Sequence, residues 1–505
     1  MHPLPLRLQP LLRGVALATA TLAILHSPAR AADVRIERIW QFAHQPGTPG
    51  QKAEVPAYDD RTDTLWIAGV AGVDVLSRAT GQRLAHLSVT HLGAVNSVAI
   101  HDGLAALAVE NGSDRTLPGV VVFFDARTLH QLGAPVSVGA LPDMLTFTPD
   151  GRRVLVANEG TPNPRPTPAG QSADDPAGSV SVIDVRTRAV TTLPIDPSIP
   201  GFDTLRLFPA VGTRATQPAT YSSYGVEPEY IAVDKAGHYA HVGLQEANGI
   251  AVLNLRTLSF ERIYGLGLKD FSQPGNAIDP SDRDSRSELR NVPVQGLYQP
   301  DTLATYAVKG RTYLVMANEG DARDNGSGDG EDERRGGAGS GDAEFVPDSS
   351  ELARLTLDNV TSVKAGPLVK FGGHSFSIRD TDGRIVFDSG DQLDREAIRL
   401  GIYDDGRSDN KGVEPEGLAL LPIEGRVLAF IGLERTLKSA IAVYDITDPH
   451  DVRYIDMIVS DGDRSPEGLT AFKVGSRYYV AAAHEVSDTT SLFEVTLFKG
   501  QGRGR

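Results

Sequence analysis

Short runs of alternating apolar and polar residues, separated by turns rich in Gly, Asp and Pro, recur along most of the chain. One unit has a first apolar run, the turn Thr148–Gly151, and a second apolar run that ends at Glu159. Alternation with a period of two over four to eight residues is typical of half-buried β-strands, and a tight turn between two such runs indicates a hairpin. No segment shows a long helical pattern. The sequence therefore predicts an all-β protein.

Six segments of this kind align with one another. They are residues 96–110, 142–159, 228–246, 300–319, 415–434 and 466–485. Several continue into a third apolar run that closes on an acid, as in Ser179–Asp184 and Ile441–Asp445. A repeated unit of roughly 40–50 residues with about four antiparallel strands is typical of a propeller blade.

A weaker unit at Thr64–Leu76 raises the count to seven, and Val34–Phe42 offers a strand that completes the last blade and closes the ring. The pattern favours a single β-propeller over residues 32–505, with seven blades of four antiparallel strands. Six or eight blades remain alternatives, as do a solenoid and a pair of β-sandwiches.

Long gaps between the repeats predict loop insertions at about residues 161–178, 269–291 and 321–348. The last of these consists mostly of Gly, Asp, Glu and Arg, a composition that favours an irregular segment. A clear hairpin at Phe376–Phe387 is assigned to the outer half of the fifth blade.

The first 31 residues have the features of a secretory signal peptide. Arg7 and Arg13 precede the apolar stretch Gly14–Leu25, and the small residues Ala29 and Ala31 fit a cleavage site. No later apolar run of about 18 residues exists, so no integral membrane span is expected. We expect an exported protein, periplasmic or secreted. Residues 498–505 contain no hydrophobic tail or sorting motif, so a C-terminal anchor is not expected.

Composition excludes several classes of chemistry. The chain has no cysteine, which rules out disulfides, thiolate metal sites and covalent c-type haem. Its formal net charge is −16, and loss of the three arginines of the leader makes it about −19. Nucleic-acid binding is therefore not expected. No Walker loop, G-x-S-x-G elbow or H-E-x-x-H sequence is present, and nothing indicates a haem, flavin or nicotinamide cofactor.

The repeats also position acidic residues. An acid follows the Pro that opens the first strand of a unit, and a Glu closes the second strand, so both are expected at the same rim of the ring. Five units supply such a pair: Asp143 with Glu159, Glu229 with Glu246, Asp301 with Glu319, Glu416 with Glu434, and Glu467 with Glu485. Glu110 adds a sixth acid at the second position.

Two interpretations of these ten acids remain open. Clustered carboxylates are hard ligands that suit Ca²⁺ or Mg²⁺, and like charges at close range demand a cation or raise one another's pKa. An acid repeated in each blade is equally consistent with an architectural role, in which the carboxylate accepts hydrogen bonds from loop N–H groups. We take all ten as candidate metal ligands, with Ca²⁺ as the expected ion.

Several motifs resemble the choice-of-anchor I family. They include Leu141–Gly151, Val156–Gly160, Ala317–Asp324, Phe387–Asp391 and Arg407–Gly412, and the similarity runs from about residue 94 to residue 495. The resemblance implies an extracytoplasmic propeller, and family members typically carry a surface anchor of variable type. The Pro-Glu-Gly segments show a shorter and weaker similarity to phytase-like propellers.

Two functions follow from these observations. The first is a binding module whose acidic rim holds a small-molecule, glycan or protein ligand with the help of a divalent cation. The second is a metal-dependent hydrolase of phosphoesters, similar to an alkaline phosphatase or a phytase. A hydrolase needs basic residues that bind phosphate, and only Arg323 and Arg435 adjoin the rim in sequence. The binding module is therefore preferred, and no catalytic residue is assigned.

Overall fold

The computed structural model describes residues 34–45, 47–161, 176–207, 226–323, 332–337 and 345–498. The signal peptide predicted at 1–31 lies outside these residues, as does most of the insertion predicted at 161–178. The described chain opens with strand β1 (Val34–Ala43) and contains seven four-stranded antiparallel sheets and one five-stranded sheet.

The four-stranded sheets are numbered 1 to 7 in their order around a ring. The first strand of a sheet is the one that contacts the corresponding strands of the neighbouring sheets. Sheet 1 is β2 (Pro56–Asp59), β3 (Thr64–Gly69), β4 (Gly72–Ser77) and β5 (Arg83–Leu87); sheet 2 is β6 (Val95–His101), β7 (Leu104–Val109), β8 (Pro118–Asp125) and β9 (Val136–Ala140); sheet 3 is β10 (Pro142–Phe147), β11 (Arg153–Asn158), β12 (Ser179–Asp184) and β13 (Val190–Pro194). Sheet 4 is β14 (Pro228–Val233), β15 (Tyr239–Leu244), β16 (Gly249–Asn254) and β17 (Ser259–Gly265).

A five-stranded sheet, the insert sheet, is built from two segments of the chain, one between sheets 4 and 5 and the other between the second and third strands of sheet 5. Its strands are β18 (Leu268–Asp270), β19 (Val294–Leu297), β22 (Glu333–Arg335), β23 (Thr356–Asp358) and β24 (Leu368–Lys370). Sheet 5 is β20 (Leu303–Val308), β21 (Arg311–Asn318), β25 (Ser375–Asp380) and β26 (Ile385–Asp388). Sheet 6 is β27 (Pro415–Ile423), β28 (Arg426–Leu433), β29 (Ser439–Asp445) and β30 (Arg453–Ser460), and sheet 7 joins β31 (Pro466–Val474), β32 (Arg477–His484) and β33 (Thr489–Leu497) to β1.

The first strands of the seven sheets contact one another in cyclic order, from β2 through β6, β10, β14, β20, β27 and β31 back to β2. Each pair of neighbouring sheets shares a buried apolar cluster. Between sheets 7 and 1, for example, Leu65 packs with Tyr479 and Leu492. The arrangement is a β-propeller, which confirms the predicted fold class.

The two ends of the described chain meet in sheet 7. Strand β1 runs antiparallel to β33, with Val34 opposite Leu497 and Ala43 opposite Thr489. The hairpin expected at Phe376–Phe387 is formed by β25 and β26 as the outer half of sheet 5. The positions of β1 and of the β25–β26 hairpin follow from the alternation of apolar and polar residues, because each of these segments presents one apolar face to a neighbouring sheet.

Two features differ from the sequence expectation. The segment predicted as irregular at 321–348 contains β22, and Lys269 in the 269–291 segment lies within β18.

The only α-helix among the described residues is α1 (Gln392–Leu400), which buries Leu393 and Ala397 in the cluster between sheets 5 and 6. Short 3₁₀ turns occur at Phe202–Thr204, Glu351–Arg354 and Asp405–Arg407. None of the described helices is long and apolar enough to span a membrane.

The glycines of the two Pro-Glu-Gly segments are explained by crowding around the axis. A Cβ at Gly417 would lie 2.1 Å from the carbonyl oxygen of Glu467, and one at Gly468 would lie 2.1 Å from that of Glu54. Backbone atoms cannot yield as a flexible side chain can. Glycine at these positions therefore lets the first strands of successive sheets pack side by side.

We expect Gly468→Ala to destabilise the fold by about 1–3 kcal/mol, because the added methyl group overpacks the contact between sheets 7 and 1. Denaturant unfolding followed by tryptophan fluorescence measures this, since Trp66 lies in sheet 1. Gly406→Ala is the matched control, because the nearest atom there is a side-chain oxygen of Asp404 at 3.2 Å. Equal stability of the two variants would contradict the crowding argument.

Candidate functional site

Strand register brings the two acids of a unit to one end of each sheet. Pro142 pairs with Asn158, Pro415 with Leu433 and Pro466 with His484. The acid that follows each Pro and the Glu that follows each second strand therefore lie next to each other at the same end. We call this end of the ring the acidic rim.

A β-bulge directs the first acid of the unit inward. In sheets 3, 4, 6 and 7 the pairing shifts between the opening Pro and the residue three positions later, across the segment that carries the acid. Bulges bend a strand and re-aim its side chains. The residue before the Pro is held at a positive φ in four units, at Leu141, Gln299, Glu414 and Ser465. Such a conformation costs about 1–3 kcal/mol for a non-glycine residue, and strain of this kind is concentrated at functional sites.

A cavity of about 420 Å³ occupies the centre of the ring and is lined by the first strands of six sheets and, in sheet 5, by Asp301 and Thr302 immediately before β20. Five acids line it, one from each of sheets 3 to 7: Asp143, Glu229, Asp301, Glu416 and Glu467. Burial, followed by repulsion from neighbouring acids, raises the pKa of Glu229, Asp301, Glu416 and Glu467 well above the ordinary value. Burial likewise raises the pKa of Asp143, to about 6.

The second acids of the units lie at the same end of the sheets but are not among the residues that line this cavity. Burial and nearby acids raise the pKa of Glu159 to about 7 and that of Glu434 to about 8, and they also raise the pKa values of Glu246 and Glu319. Glu485 is more open, with its carboxylate 3.9 Å from Lys52 Nζ.

Three glutamates on one side of the rim form a cluster in which Glu159 is attracted by Arg115, whereas Glu229 and Glu246 form no ion pair with a described residue. In this three-glutamate cluster, ligand oxygens of Glu159, Glu229 and Glu246 all lie within 4.8 Å of one another. Thr161 Oγ1 donates a hydrogen bond to Glu159. One buried oxygen each of Glu229 and Glu246 has no hydrogen-bond partner, and Glu246 is only 5% exposed. Within the described ranges, no lysine or arginine forms an ion pair with Glu229 or Glu246.

The opposite side of the rim carries its own cations. Lys411 Nζ lies 3.1 Å from Glu319 Oε1, 3.1 Å from Asp321 Oδ1 and 3.3 Å from Glu414 Oε2. Arg435 lies 2.7 Å from Glu434 Oε1, and Arg407 binds Glu414.

Protein cations therefore offset much of the negative charge here. Burial alone would raise the pKa of Glu414, but attraction from Lys411 and Arg407 outweighs it and the net pKa is lowered. We call Lys411 with Glu319, Asp321 and Glu414 the lysine-centred cluster. Beside it, carboxylate oxygens of Asp301, Glu319 and Glu416 lie within 4.8 Å of one another.

Sequence reasoning missed several rim residues, although a signal for two of them was present. Glu227 and Glu414 each stand before the Pro of a Glu-Pro-Glu segment and are buried. Each pairs with an arginine: Arg323 Nε lies 3.1 Å from Glu227 Oε1, and Arg407 binds Glu414. In these segments the first Glu thus forms a buried ion pair, whereas the second faces the cavity.

Glu54 is a further acid at the rim, beside Glu467 and Glu485. Burial and repulsion from Glu485 raise its pKa to about 8. It lies two residues before Pro56 in sheet 1, whose repeat is too degenerate for alignment to have identified it.

A family model described as the choice-of-anchor I domain matches residues 54–449, which covers sheets 1 to 5 and most of sheet 6. The chain belongs to the choice-of-anchor I family. This choice-of-anchor I protein is 25% identical over 340 residues to the mesenchyme-specific cell surface glycoprotein of Strongylocentrotus purpuratus, in a match that covers 55% of the chain and 41% of the relative. The chain thus spans about two fifths of that relative's length.

Two solved structures are similar to this choice-of-anchor I protein, and the first supports its fold. Kuenenia stuttgartiensis hydrazine synthase matches with a TM-score of 0.50 at 11% identity, over 90% of this chain and 97% of that one. The β-propeller domain of Myceliophteria thermophila Cps50 (Swd1) matches with a TM-score of 0.45 at 10% identity, over 92% and 100% of the two chains. At such identities the first likeness shows the fold alone.

The raised pKa values predict how the metal-free protein responds to pH. A carboxyl group whose pKa is higher in the folded than in the unfolded state binds its proton more tightly when the protein is folded. Its contribution to stability is therefore complete at pH values below the pKa of the unfolded state and is lost as the pH rises through the pKa of the folded state. We expect the unfolding free energy in EDTA to fall between about pH 5 and pH 8.5, because Asp143, Glu159 and Glu434 titrate near 6, 7 and 8. Denaturant unfolding at several pH values measures it. A stability that rises across this range would contradict the assignment.

Lys411→Met tests the lysine-centred cluster. Removing this cation leaves the buried carboxylates of Glu319 and Glu414 facing each other, and breaking a buried ion pair costs about 3–5 kcal/mol. We expect the loss to be largest near pH 8 and smaller near pH 5.5, where the acids can take up protons. Lys438→Met is the control, because its exposed pair with Asp461 contributes about 1 kcal/mol at most. Thermal unfolding of both variants at the two pH values makes the comparison.

Proposed function

We propose that this choice-of-anchor I propeller is an extracytoplasmic binding module whose acidic rim takes a divalent cation, with Ca²⁺ the expected ion. The three-glutamate cluster is the proposed cation site. The proposal rests on one observation: Glu229 and Glu246, which lie beside Glu159, each have a buried carboxylate oxygen without a hydrogen-bond partner. A buried carboxylate without a partner is costly, and a bound cation would remove that cost.

The spacing of the cluster supports calcium. Ca²⁺ binds oxygen ligands at about 2.3–2.6 Å, so two ligands of one ion are at most about 5 Å apart. The three oxygens lie within 4.8 Å of one another, so any two of them are close enough to bind the same calcium ion. Mg²⁺ binds at about 2.0–2.1 Å and needs closer ligands.

The remaining coordination positions are where a ligand would bind. Calcium takes six to eight oxygens, and three glutamates supply only part of that number. The cluster adjoins the central cavity of about 420 Å³, because Glu229 lines both. A ligand with hydroxyl or carboxylate oxygens could complete the coordination shell from the cavity. Small molecules, glycans and protein side chains all offer such groups.

Charge pairing favours a binding module over a phosphoester hydrolase. The two arginines that adjoin the rim in sequence are both engaged: Arg323 pairs with the buried Glu227, and Arg435 pairs with Glu434. Lys411 is enclosed by Glu319, Asp321 and Glu414. A phosphate would have to compete with these carboxylates for each cation.

Calcium titration of thermal unfolding tests the proposal. We expect millimolar CaCl₂ at pH 8 to raise the Tm relative to EDTA, because a ligand at one hundred times its Kd stabilises the folded state by about 2.7 kcal/mol. The effect should be smaller near pH 5.5, since the ion must displace protons from the glutamates. Glu246→Gln should abolish the response, whereas Glu434→Gln, on the lysine-centred side, should retain it.

Three outcomes decide between the candidate functions. No calcium or magnesium effect in the wild type, or an undiminished effect in Glu246→Gln, would refute the cation site. Calcium-dependent hydrolysis of p-nitrophenyl phosphate that disappears in Glu246→Gln would replace the binding module with the metal-dependent hydrolase. A calcium effect without hydrolysis supports the binding module.

A further inference from the structure

The lining of the central cavity is acidic and contains no base. The residues that line it include the acids of sheets 3 to 7 that follow an opening Pro, but no lysine, arginine or histidine. The rest of the lining is apolar or uncharged and includes Val98, Leu418 and Leu469. The volume of about 420 Å³ falls in the range of about 300–1,000 Å³ that is typical of small-molecule sites. A ligand for this cavity therefore needs positive charge and an apolar surface.

The acids present accessible oxygens to this space. All five of them are partly exposed. Asp143 and Glu467 form no hydrogen bond with a described residue, and neither has a fully buried oxygen. Glu229 and Glu416 each bury one oxygen without a partner and leave the other oxygen accessible. A ligand in the cavity can therefore contact carboxylate oxygens from at least four sheets directly.

Protein cations offset little of this charge. None of the five acids forms an ion pair with a lysine or arginine of the described chain. Arg115 attracts Asp143 and Arg435 attracts Glu416, but neither arginine lines the cavity. Arg435 also lies 2.7 Å from Glu434 Oε1. The compensating charge must therefore come mainly from protons or from a bound cation.

The negative charge is spread around the axis. Burial, and after it repulsion from acids that include Asp301, raises the pKa of Glu229, Glu416 and Glu467. Carboxylate oxygens of Glu229 and Glu246 lie within 4.8 Å of each other, and Glu246 is only 5% exposed and has a buried oxygen without a partner. Oxygens of Asp301 and Glu416 form a second close pair. An extended cation suits this distribution better than a single metal ion does.

From the base-free lining, the accessible carboxylates and their spread around the axis, we infer that the central cavity binds a linear polyamine of the spermidine class. Alkyl ammonium groups resemble that of lysine and are protonated at neutral pH. They donate charge-assisted hydrogen bonds to the carboxylates of Glu229, Asp301 and Glu416. The methylene segments between them lie against the apolar part of the lining.

This polyamine site goes beyond the proposed calcium site. It uses acids of five sheets and requires no metal ion, whereas the calcium site is the three-glutamate cluster. Glu229 belongs to both sites. Calcium and the polyamine are therefore expected to compete, and each should weaken the binding of the other by the same factor.

Isothermal titration calorimetry with spermine, spermidine and putrescine tests the inference. The titrations are made in EDTA at pH 8 and about 0.15 M NaCl, a salt concentration that screens exposed charges beyond about 8 Å. We expect spermidine to bind with a Kd below about 1 mM, spermine to bind more tightly and putrescine more weakly. Octanediol, an uncharged linear chain, should not bind.

Three variants locate the binding. Glu467→Gln removes a cavity acid outside the three-glutamate cluster and should weaken spermidine binding at least about tenfold, while the calcium effect on the Tm persists. Glu416→Gln should weaken binding likewise, which covers the case in which Glu467→Gln fails to fold. Asp461→Asn is the control, because it removes an acid whose side chain is 84% exposed, and it should leave binding unchanged.

The outcomes separate this inference from the calcium proposal. Failure of spermine and spermidine to bind, equal binding by the wild type and the cavity variants, an equal loss in Asp461→Asn, or binding of octanediol would each overturn the polyamine site, even if calcium still raises the Tm. Spermidine binding that is lost in Glu467→Gln would support the polyamine site, even if calcium has no effect on the wild type.

Discussion

Repulsion between carboxylates that the ring brings to its own axis is the constraint around which the rim is organised. All seven sheets contribute residues to a cavity of about 420 Å³, and five of the sheets place an acid in it. Burial and mutual repulsion both oppose ionisation of these groups. The rim can exist only if protons, protein cations or a bound ion offset this charge.

The two sides of the rim meet that constraint differently. On the side of sheets 5 and 6, Lys411, Arg407 and Arg435 are held within ion-pair distance of Glu319, Glu414 and Glu434. On the side of sheets 3 and 4, Glu229 and Glu246 keep buried oxygens without a partner. Lysine and arginine side chains therefore offset part of the negative charge on the side of sheets 5 and 6, although Glu416 keeps a buried oxygen without a partner there as well.

The sequence was most informative where a residue's role is repeated. Alternation and turns revealed the sheets, and the Pro-acid and closing Glu of each unit revealed the rim, because strand register follows from local pattern. It was least informative where partners come from distant segments. Lys411 reaches Glu319 across ninety-two positions, and no periodicity encodes that contact. Helix α1 was missed because its nine residues are shorter than a helical pattern needs to be recognised.

The pairing of β1 with β33 has a consequence for how the protein is made. Val34 lies opposite Leu497, so the ring cannot close until the chain has been synthesised as far as β33. Until then β1 has no partner strand, and open strand edges invite pairing with other chains. Long-range pairings of this kind also slow folding, because the entropy of closing a large loop is lost before the contacts form. The nascent protein therefore has an open ring, with β1 unpaired, while the strands from β2 to β32 are being made.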